Sequence, residues 1–393
     1  MTLSPAYLLT QRNTKRPGTL TSRKVGSAGL ICLWLASCGG GGSVVKPPVP
    51  PVPPTPPAPV IVTPPPIPAA ARGGSNILSV HVGQMDGFIV KFDTLTTQID
   101  SELRTMYANG QRRLKIPLLF YHGSTDGVAV DSTGGMMSDH DTQNLLHLLQ
   151  LIRSIGYEQV QIEFLPEWWN DPEWWVSPGA YNSPGFGNCN SVVVGEDGVE
   201  LASMKNDWYG ENWSFVSNTR QTFLVAGMKY VVSPMGEGMD PRFLAYVRRL
   251  WIDYTATFGK DDTIGYSVVP TAANIALIPQ VYSGNLPTLM DLHIYDNNTY
   301  GNQCDITTPG SCTYAAYVAA DQALAKAGYT GPVIVGEVFY NDSATAQALV
   351  RARATTGRAI SWVTQWPLTR TFQAGQNEDV IPADFSGYMM AGF

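Results

Sequence analysis

Eight short apolar runs alternating with amphipathic stretches predict an α/β fold for this 393-residue chain, most economically a closed (β/α)8 TIM barrel. Three observations carry that expectation. The runs are nearly continuous in apolar character, as strands covered on both faces are. The stretches between them place apolar residues at spacings of three and four. No Gly-rich G-x-G-x-x-G follows the first run, so the nucleotide fingerprint of an open doubly wound sheet is missing.

The chain begins with something other than barrel. Residues 1–37 read as a signal peptide: Arg12, Lys15, Arg16, Arg23 and Lys24 are basic, Val25 to Ala36 is apolar, and Leu35-Ala36-Ser37-Cys38 closes the segment. The apolar run is shorter than the ~20 residues that span a bilayer. The closing tetrapeptide resembles the bacterial lipobox. That resemblance implies a lipid anchor on Cys38 and, with Gly39 next, an outer-membrane lipoprotein facing the periplasm or the cell surface. Residues 38–72 then form anchor and linker, glycine from Gly39 to Gly42 and proline-dominated from Pro47 to Pro68. Such a tract tends to polyproline II, about 3.1 Å per residue, and acts as a semi-rigid spacer.

Residues 73–393 hold the predicted barrel. Its strands are expected at Ile77 to Val82, Leu114 to Tyr121, Val160 to Leu165, Lys229 to Ser233, Thr263 to Val269, Leu289 to Tyr295, Pro332 to Val338 and Ala359 to Thr364. Helical stripes are Leu95, Ile99, Leu103 and Met106; Leu145, Leu149, Ile152 and Ile155; Phe243, Val247, Leu250, Trp251 and Tyr254; and Ala319, Leu324 and Ala327. Asp240-Pro241 is a start signal, and Gly156, Gly259 and Gly328 are stop signals. Between strands five and six, Asn274 to Pro287 leaves room for only a short or irregular helix.

The chain carries −7, and without the five basic residues of the signal 20 Lys and Arg stand against 32 Asp and Glu, or −12. That balance removes a basic nucleic-acid footprint. Cys304 and Cys312 frame a small loop that a disulfide would close in an oxidising compartment, leaving Cys189 free or as an alternative partner. No CxxC or HxxxH spacing occurs, so neither metal nor cofactor is expected. A monomer is expected.

In a barrel of this kind chemistry gathers where strands end. The fourth strand ends in Ser233-Pro-Met-Gly-Glu237 and the seventh in Val335-Gly-Glu337, while the sixth carries His293 and Tyr295 and the eighth Trp362 and Trp366. These strand ends resemble the clan A glycoside hydrolases, which include family 5 cellulases and mannanases. The resemblance implies a retaining glycosidase with Glu237 as acid/base, Glu337 as nucleophile, His293 and Tyr295 beside them, and Trp362 as the floor of the sugar site. Two departures stand out: Gly236 replaces the clan's asparagine before the acid/base, and Tyr121-His122 stands near the end of strand two in place of an arginine. His122 is nonetheless a candidate substrate contact. Glu163 is either a rival acid or an interior ion-pair partner, and His147 is read as structural.

Glycosidic cleavage needs one carboxyl to protonate the leaving oxygen and a second to attack or stabilise the anomeric carbon. PEWWNDPEWW, residues 166–175, opens an aromatic insertion after strand three that reaches roughly Val216 and includes Trp208, Tyr209 and Trp213. Trp168, Trp169, Trp174 and Trp175 are too crowded for one face of a regular element and are expected to line a carbohydrate groove. The expected activity is hydrolysis of a β-linked polysaccharide or oligosaccharide at the envelope. Two alternatives compete: a non-catalytic, polysaccharide-binding or export-associated barrel lipoprotein, and a metal-dependent hydrolase built on His81, His122 and His293.

Overall fold

A computed structural model describes residues 67–77, 88–167, 170–172, 208–241, 244–296, 304–370 and 383–393. The signal, Cys38 and most of the linker lie outside these residues, as do His81, Cys189, Phe243 and the four tryptophans Trp168, Trp169, Trp174 and Trp175.

Eight strands form the barrel: β1 (Gly74–Asn76), β2 (Arg113–Tyr121), β3 (Gln159–Pro166), β4 (Tyr230–Ser233), β5 (Ser267–Val268), β6 (Met290–His293), β7 (Val333–Glu337) and β8 (Ile360–Gln365). They run parallel in the order β4-β3-β2-β1-β8-β7-β6-β5. The remaining seam, between β4 and the chain entering β5, is joined by a parallel bridge from Val232 to Thr263. There the Val232 N–H donates to the Asp262 carbonyl at 2.8 Å and the Ile264 N–H to the Val232 carbonyl at 2.9 Å. The sheet therefore closes on itself.

Helices cover the outside: α1 (Phe92–Ala108), α2 (Asp139–Ile155), α3 (Trp208–Ala226), α4 (Leu244–Phe258), the short α5 (Ala272–Ala276) and α6 (Ile278–Tyr282), then α7 (Ser311–Lys326), α8 (Ser343–Thr356) and α9 (Ser386–Met390). Local chemistry sets their ends. Ser138 caps α2 by accepting the Asp141 N–H at 3.0 Å, and Gly156 ends it with φ 109°, a conformation glycine adopts without penalty. Leu145, Leu148, Leu149 and Ile152 of α2 are fully buried, each contributing about 1.5–3 kcal/mol. On α7 the buried stripe is Ala316, Ala320 and Leu324 with Tyr317, rather than Ala319 and Ala327. No helix among the described residues is long and apolar enough to cross a membrane. Cys304 and Cys312 form the expected disulfide.

Two expectations need correction. The first described strand lies at Gly74–Asn76, starting three residues before the expected Ile77 to Val82, of which residues 78–82 lie outside the described residues. Its signal is closeness rather than hydrophobicity: a Cβ on Gly73 would stand 1.9 Å from the Val363 carbonyl oxygen, and one on Gly74 1.8 Å from that of Arg113. Trp208, Tyr209 and Trp213 are not part of a cleft-wall loop but start α3, where Trp208 is buried and Trp213 packs near Phe258 with ring centroids 5.9 Å apart.

The apolar core sits between strands and helices, in one large cluster around β2 and β3 and another around β6 to β8. Successive side chains of a strand point to opposite faces. On β3, Val160, Ile162 and Phe164 join that outer core, while Gln161 and Glu163 turn to the barrel axis, where Gln161 meets Asp291 and Glu163 meets Lys115. Where barrels usually carry only layers of branched aliphatics, a buried ionic network here sits on the axis above an apolar layer of Val231, Ile264 and Ile334.

Candidate active site

Lys115, the third residue of β2, is fully buried and sits at the centre of that network. Its Nζ lies 2.7 Å from Glu163 Oε2, 2.9 Å from Glu337 Oε1, 2.8 Å from His293 Nε2 and 4.0 Å from Asp291 Oδ2. Burial alone would lower the ammonium's pKa; Glu163, Glu337 and Asp291 outweigh burial and hold Lys115 above the ordinary lysine value.

Glu337 ends β7 beyond an irregularity in the ladder: Leu292 pairs with Val335, yet His293 pairs with Glu337, so Gly336 is the extra residue. That bulge brings Glu337 into line with His293 at the inner rim. Gly336 is required there because its N–H donates to Asp291 Oδ1 at 2.8 Å and a Cβ would lie 2.2 Å from that oxygen. Both carboxylate oxygens of Glu337 are held, Oε1 by Lys115 and Oε2 by the Tyr295 hydroxyl at 2.9 Å.

Glu237, past the end of β4, takes a left-handed backbone with φ 49°. A non-glycine residue there costs on the order of 1–3 kcal/mol and persists only where its surroundings fix it. Here the Glu237 N–H donates to Ser267 Oγ at 2.6 Å, and the Ser267 hydroxyl in turn donates to Glu163 Oε1 at 2.7 Å. Glu163, 1% exposed, is therefore the interior ion-pair partner. It also explains the glycine that precedes the acid/base candidate. A Cβ on Gly236 would stand 2.4 Å from Leu165 Cδ2 and 2.7 Å from Glu163 Cδ, so no side chain fits beside this glutamate.

His293, at the end of β6, joins the two candidate catalytic carboxylates. Its Nδ1 lies 2.9 Å from Glu237 Oε1 and 3.5 Å from Glu337 Oε2. Burial and the neighbouring Lys115 ammonium disfavour a charge on the imidazole, while the Glu337 and Asp291 carboxylates favour one more strongly. Asp291 accepts from Gln161 Nε2 at 2.6 Å. Burial alone would raise Asp291, but His293, Lys115 and Gln161 outweigh it and hold the carboxyl below its ordinary value.

Glu237, Glu337, His293 and Tyr295 are thus brought together. His122 and Trp362 are not part of that group. His122 follows the end of β2, where its Nδ1 pairs with Glu211 Oε2 at 2.9 Å and its ring meets Trp208 edge-on at 5.3 Å. Its side chain is 42% exposed, so it stands on the rim, outside the Lys115 cluster. Exposed His147 lies on α2.

Trp362 requires a correction. It packs with Val231, Ile264 and Ile334, with the Arg113 guanidinium 5.3 Å from its ring, and lines a cavity of about 820 Å³ with Arg113, Gln159 and Lys229. Those residues begin β2 and β3 or immediately precede β4, so Trp362 belongs to the opposite end of the barrel. The ring at the catalytic end is Trp366, which directly follows β8 and packs with Leu119, Leu165 and Tyr295. Four residue steps along the strand separate the two tryptophans by about 13 Å. The signal was in the chain: both share one parity, but only Trp366 lies at the strand's end.

Sequence reasoning also passed over Lys115, Ser267 and Asp291. Among the described residues, Glu163, His293 and Glu337 could hold a metal ion, with candidate donor atoms within 4.8 Å of one another. The cation among them is the Lys115 ammonium, within 2.9 Å of an atom of each.

Neither a protein-family model nor a curated protein sequence matches the chain. Solved structures do match. A point variant of GH5_18 from Bifidobacterium longum subsp. longum ATCC 55813, in complex with Manb1-4GlcNAc, superposes with TM-score 0.52 at 14% identity, over 82% of this chain and 78% of that one. GH5_18 from Bifidobacterium longum subsp. infantis gives TM-score 0.52 at 12% identity, over 82% and 78%. A GH5_18 variant from Streptomyces cattleya, also in complex with Manb1-4GlcNAc, gives 0.50 at 11% identity, over 82% and 79%. At these identities the likeness is one of fold: the chain is a (β/α)8 barrel of the kind these glycoside hydrolases share.

Proposed function

We propose that the protein is a retaining glycoside hydrolase acting on a β-linked oligosaccharide or polysaccharide, with Glu337 as nucleophile and Glu237 as acid/base. The observation that carries this reading is the convergence of both carboxylates on His293 Nδ1, at 2.9 and 3.5 Å. Their nearest oxygens can be no farther apart than those two distances laid end to end. That bound on the nearest oxygens is compatible with the ~5–5.5 Å of retaining pairs.

In the first step a Glu337 oxygen bonds to the anomeric carbon while Glu237 gives its proton to the departing glycosidic oxygen, so the aglycone leaves as an alcohol. In the second, Glu237 takes a proton from water as the hydroxyl oxygen attacks the anomeric carbon and the Glu337 ester breaks. Tyr295 and Lys115 hold the nucleophile's two oxygens throughout, and Trp366 is the candidate platform for the sugar face.

Because two of the similar barrels were crystallised with Manb1-4GlcNAc, β-mannosides are the first substrates to try. Aryl β-mannosides, aryl β-glucosides and β-linked oligosaccharides should be screened for release, and proton NMR should follow the anomer first produced. Retained configuration, lost in Glu337→Gln with binding preserved, supports the proposal. Inversion overturns the mechanism, and binding without hydrolysis by the wild type would make the protein a carbohydrate receptor.

The envelope location is part of the same proposal, resting on the lipobox-like Leu35-Ala36-Ser37-Cys38 and the proline-rich spacer. Fatty-acid labelling of the expressed chain should be lost in Cys38→Ala; labelling that persists would remove the anchor.

A further inference from the structure

Lys115 has more to do than neutralise charge. An ammonium carries three N–H groups and no acceptor. Within 2.9 Å, Lys115 Nζ meets one atom each of Glu163, Glu337 and His293. Three protons face three acceptors, and Asp291, at 4.0 Å, is left to Gln161 and the Gly336 N–H.

The third contact is the informative one. Two N–H groups cannot point at each other across the 2.8 Å between Lys115 Nζ and His293 Nε2. Glu337 and Asp291 draw a second proton toward the imidazole, and Asp291 Oδ2, 3.3 Å from Nε2, would be its acceptor. That arrangement needs Lys115 to give up a proton, yet Glu163 and Glu337 lie closer to the ammonium, at 2.7 and 2.9 Å, than to the ring, at 3.6 and 3.5 Å, and only Asp291 is nearer the ring. Nε2 therefore presents its lone pair to Lys115, and the imidazole's single proton sits on Nδ1, aimed at Glu237 Oε1 2.9 Å away.

We infer that Lys115 is a positioning residue that sets the tautomer of His293 and, through it, the oxygen of Glu237 that carries the transferable proton. Because Oε1 accepts from His293, the acid proton resides on Oε2. Lys115 touches Glu337 directly and Glu237 through one imidazole, so a single interior cation couples the two carboxylates. The inference deepens the hydrolase reading and rests on it for the roles of both glutamates, but the tautomer itself does not depend on any substrate.

Long-range proton–nitrogen NMR on the full chain with 15N-labelled histidine tests it directly, with His293→Gln identifying the resonance among the five histidines. Near neutral pH, His293 should show a bare Nε2 and a protonated Nδ1. A proton on Nε2, as either the other tautomer or the imidazolium, overturns the inference.

The kinetic arm compares Lys115→Met combined with Glu163→Gln, which leaves no buried, unpaired Glu163 charge, against Glu163→Gln alone, which holds constant any effect passed through Ser267 to Glu237. Activity on alkyl glycosides, which need the acid, should fall at least tenfold further than on nitrophenyl glycosides, which need little acid help. Equal losses would reduce Lys115 to a clamp on Glu337 and overturn the coupling. Should the wild type cleave no glycoside, the hydrolase reading fails while the NMR result still decides the tautomer.

Discussion

Lys115 on β2 and Glu337 on β7 stand 222 residues apart in the chain, and their side chains meet at 2.9 Å on the barrel axis. Removing one partner of a buried ion pair costs far more than the pair contributes net, because the other charge is left stranded. Lys115→Met should destabilise the barrel by about 3–5 kcal/mol. Adding Glu163→Gln should restore part of that loss in denaturant titrations. A single variant as stable as the wild type would remove Lys115 from the centre of the network.

Both tryptophans are buried, Trp362 at 6% and Trp366 at 4% exposure, so each truncation should cost stability and KM is what separates them. Trp366→Ala removes the ring beside Tyr295 and Leu165 and should raise KM several-fold while leaving the pH profile alone. Trp362→Ala empties the far end of the barrel and should cost about 3–5 kcal/mol of stability, with KM near the wild-type value. Thermal unfolding and Michaelis kinetics on the same preparations check both, and the reverse pattern would return Trp362 to the sugar site.

Gly236→Asn restores the residue that clan A usually carries before its acid/base. Here it should harm the protein. Its Cβ would enter the space of Leu165 and Glu163, costing about 1–3 kcal/mol. Displacing Glu163 would also disturb Ser267, which fixes the Glu237 backbone. Activity should fall together with stability; an active, stable variant would show that the gap beside Glu237 accepts a side chain.

The pH dependence of stability follows from two buried groups held in opposite directions. Lys115 lies above its ordinary value, so its contribution is complete below about pH 10.4 and is lost as pH rises through the folded value. Asp291 lies below its ordinary value, so its contribution is present above about pH 3.9 and is lost as pH falls through the folded value. Urea titrations across pH should show both shoulders. Asp291→Asn should flatten the acid one and leave the alkaline one in place.

Glu237→Ala should lose about 10²–10⁴-fold on poor leaving groups and far less on nitrophenyl glycosides. Added azide should recover turnover by replacing water in the second step and yield a glycosyl azide of retained configuration. Glu337→Ala with azide should yield the opposite anomer. Product anomers read by NMR assign the two roles, and the same azide anomer from both variants would exchange or dissolve them.

How much of this was legible in the chain depends on range. Periodicity and punctuation are local, so the alternation of strands and helices, Gly156 as a stop and the short helices after Asn274 could all be read from neighbouring residues. Glu237 and Glu337 could be placed at strand ends for the same reason. What the local pattern missed was set by distant neighbours. Gly74–Asn76 is a strand because two backbones close around it, and Glu337 turns inward because a bulge at Gly336 makes room for Asp291. By itself the sequence determined the barrel class and the pair of acidic strand ends, since apolar spacing and strand-end residues are properties of short segments. Only the tertiary structure decided that Lys115 is the shared cation and that Trp366, rather than Trp362, faces the catalytic end, because which side chains meet depends on where strands far apart in the chain are registered around one axis.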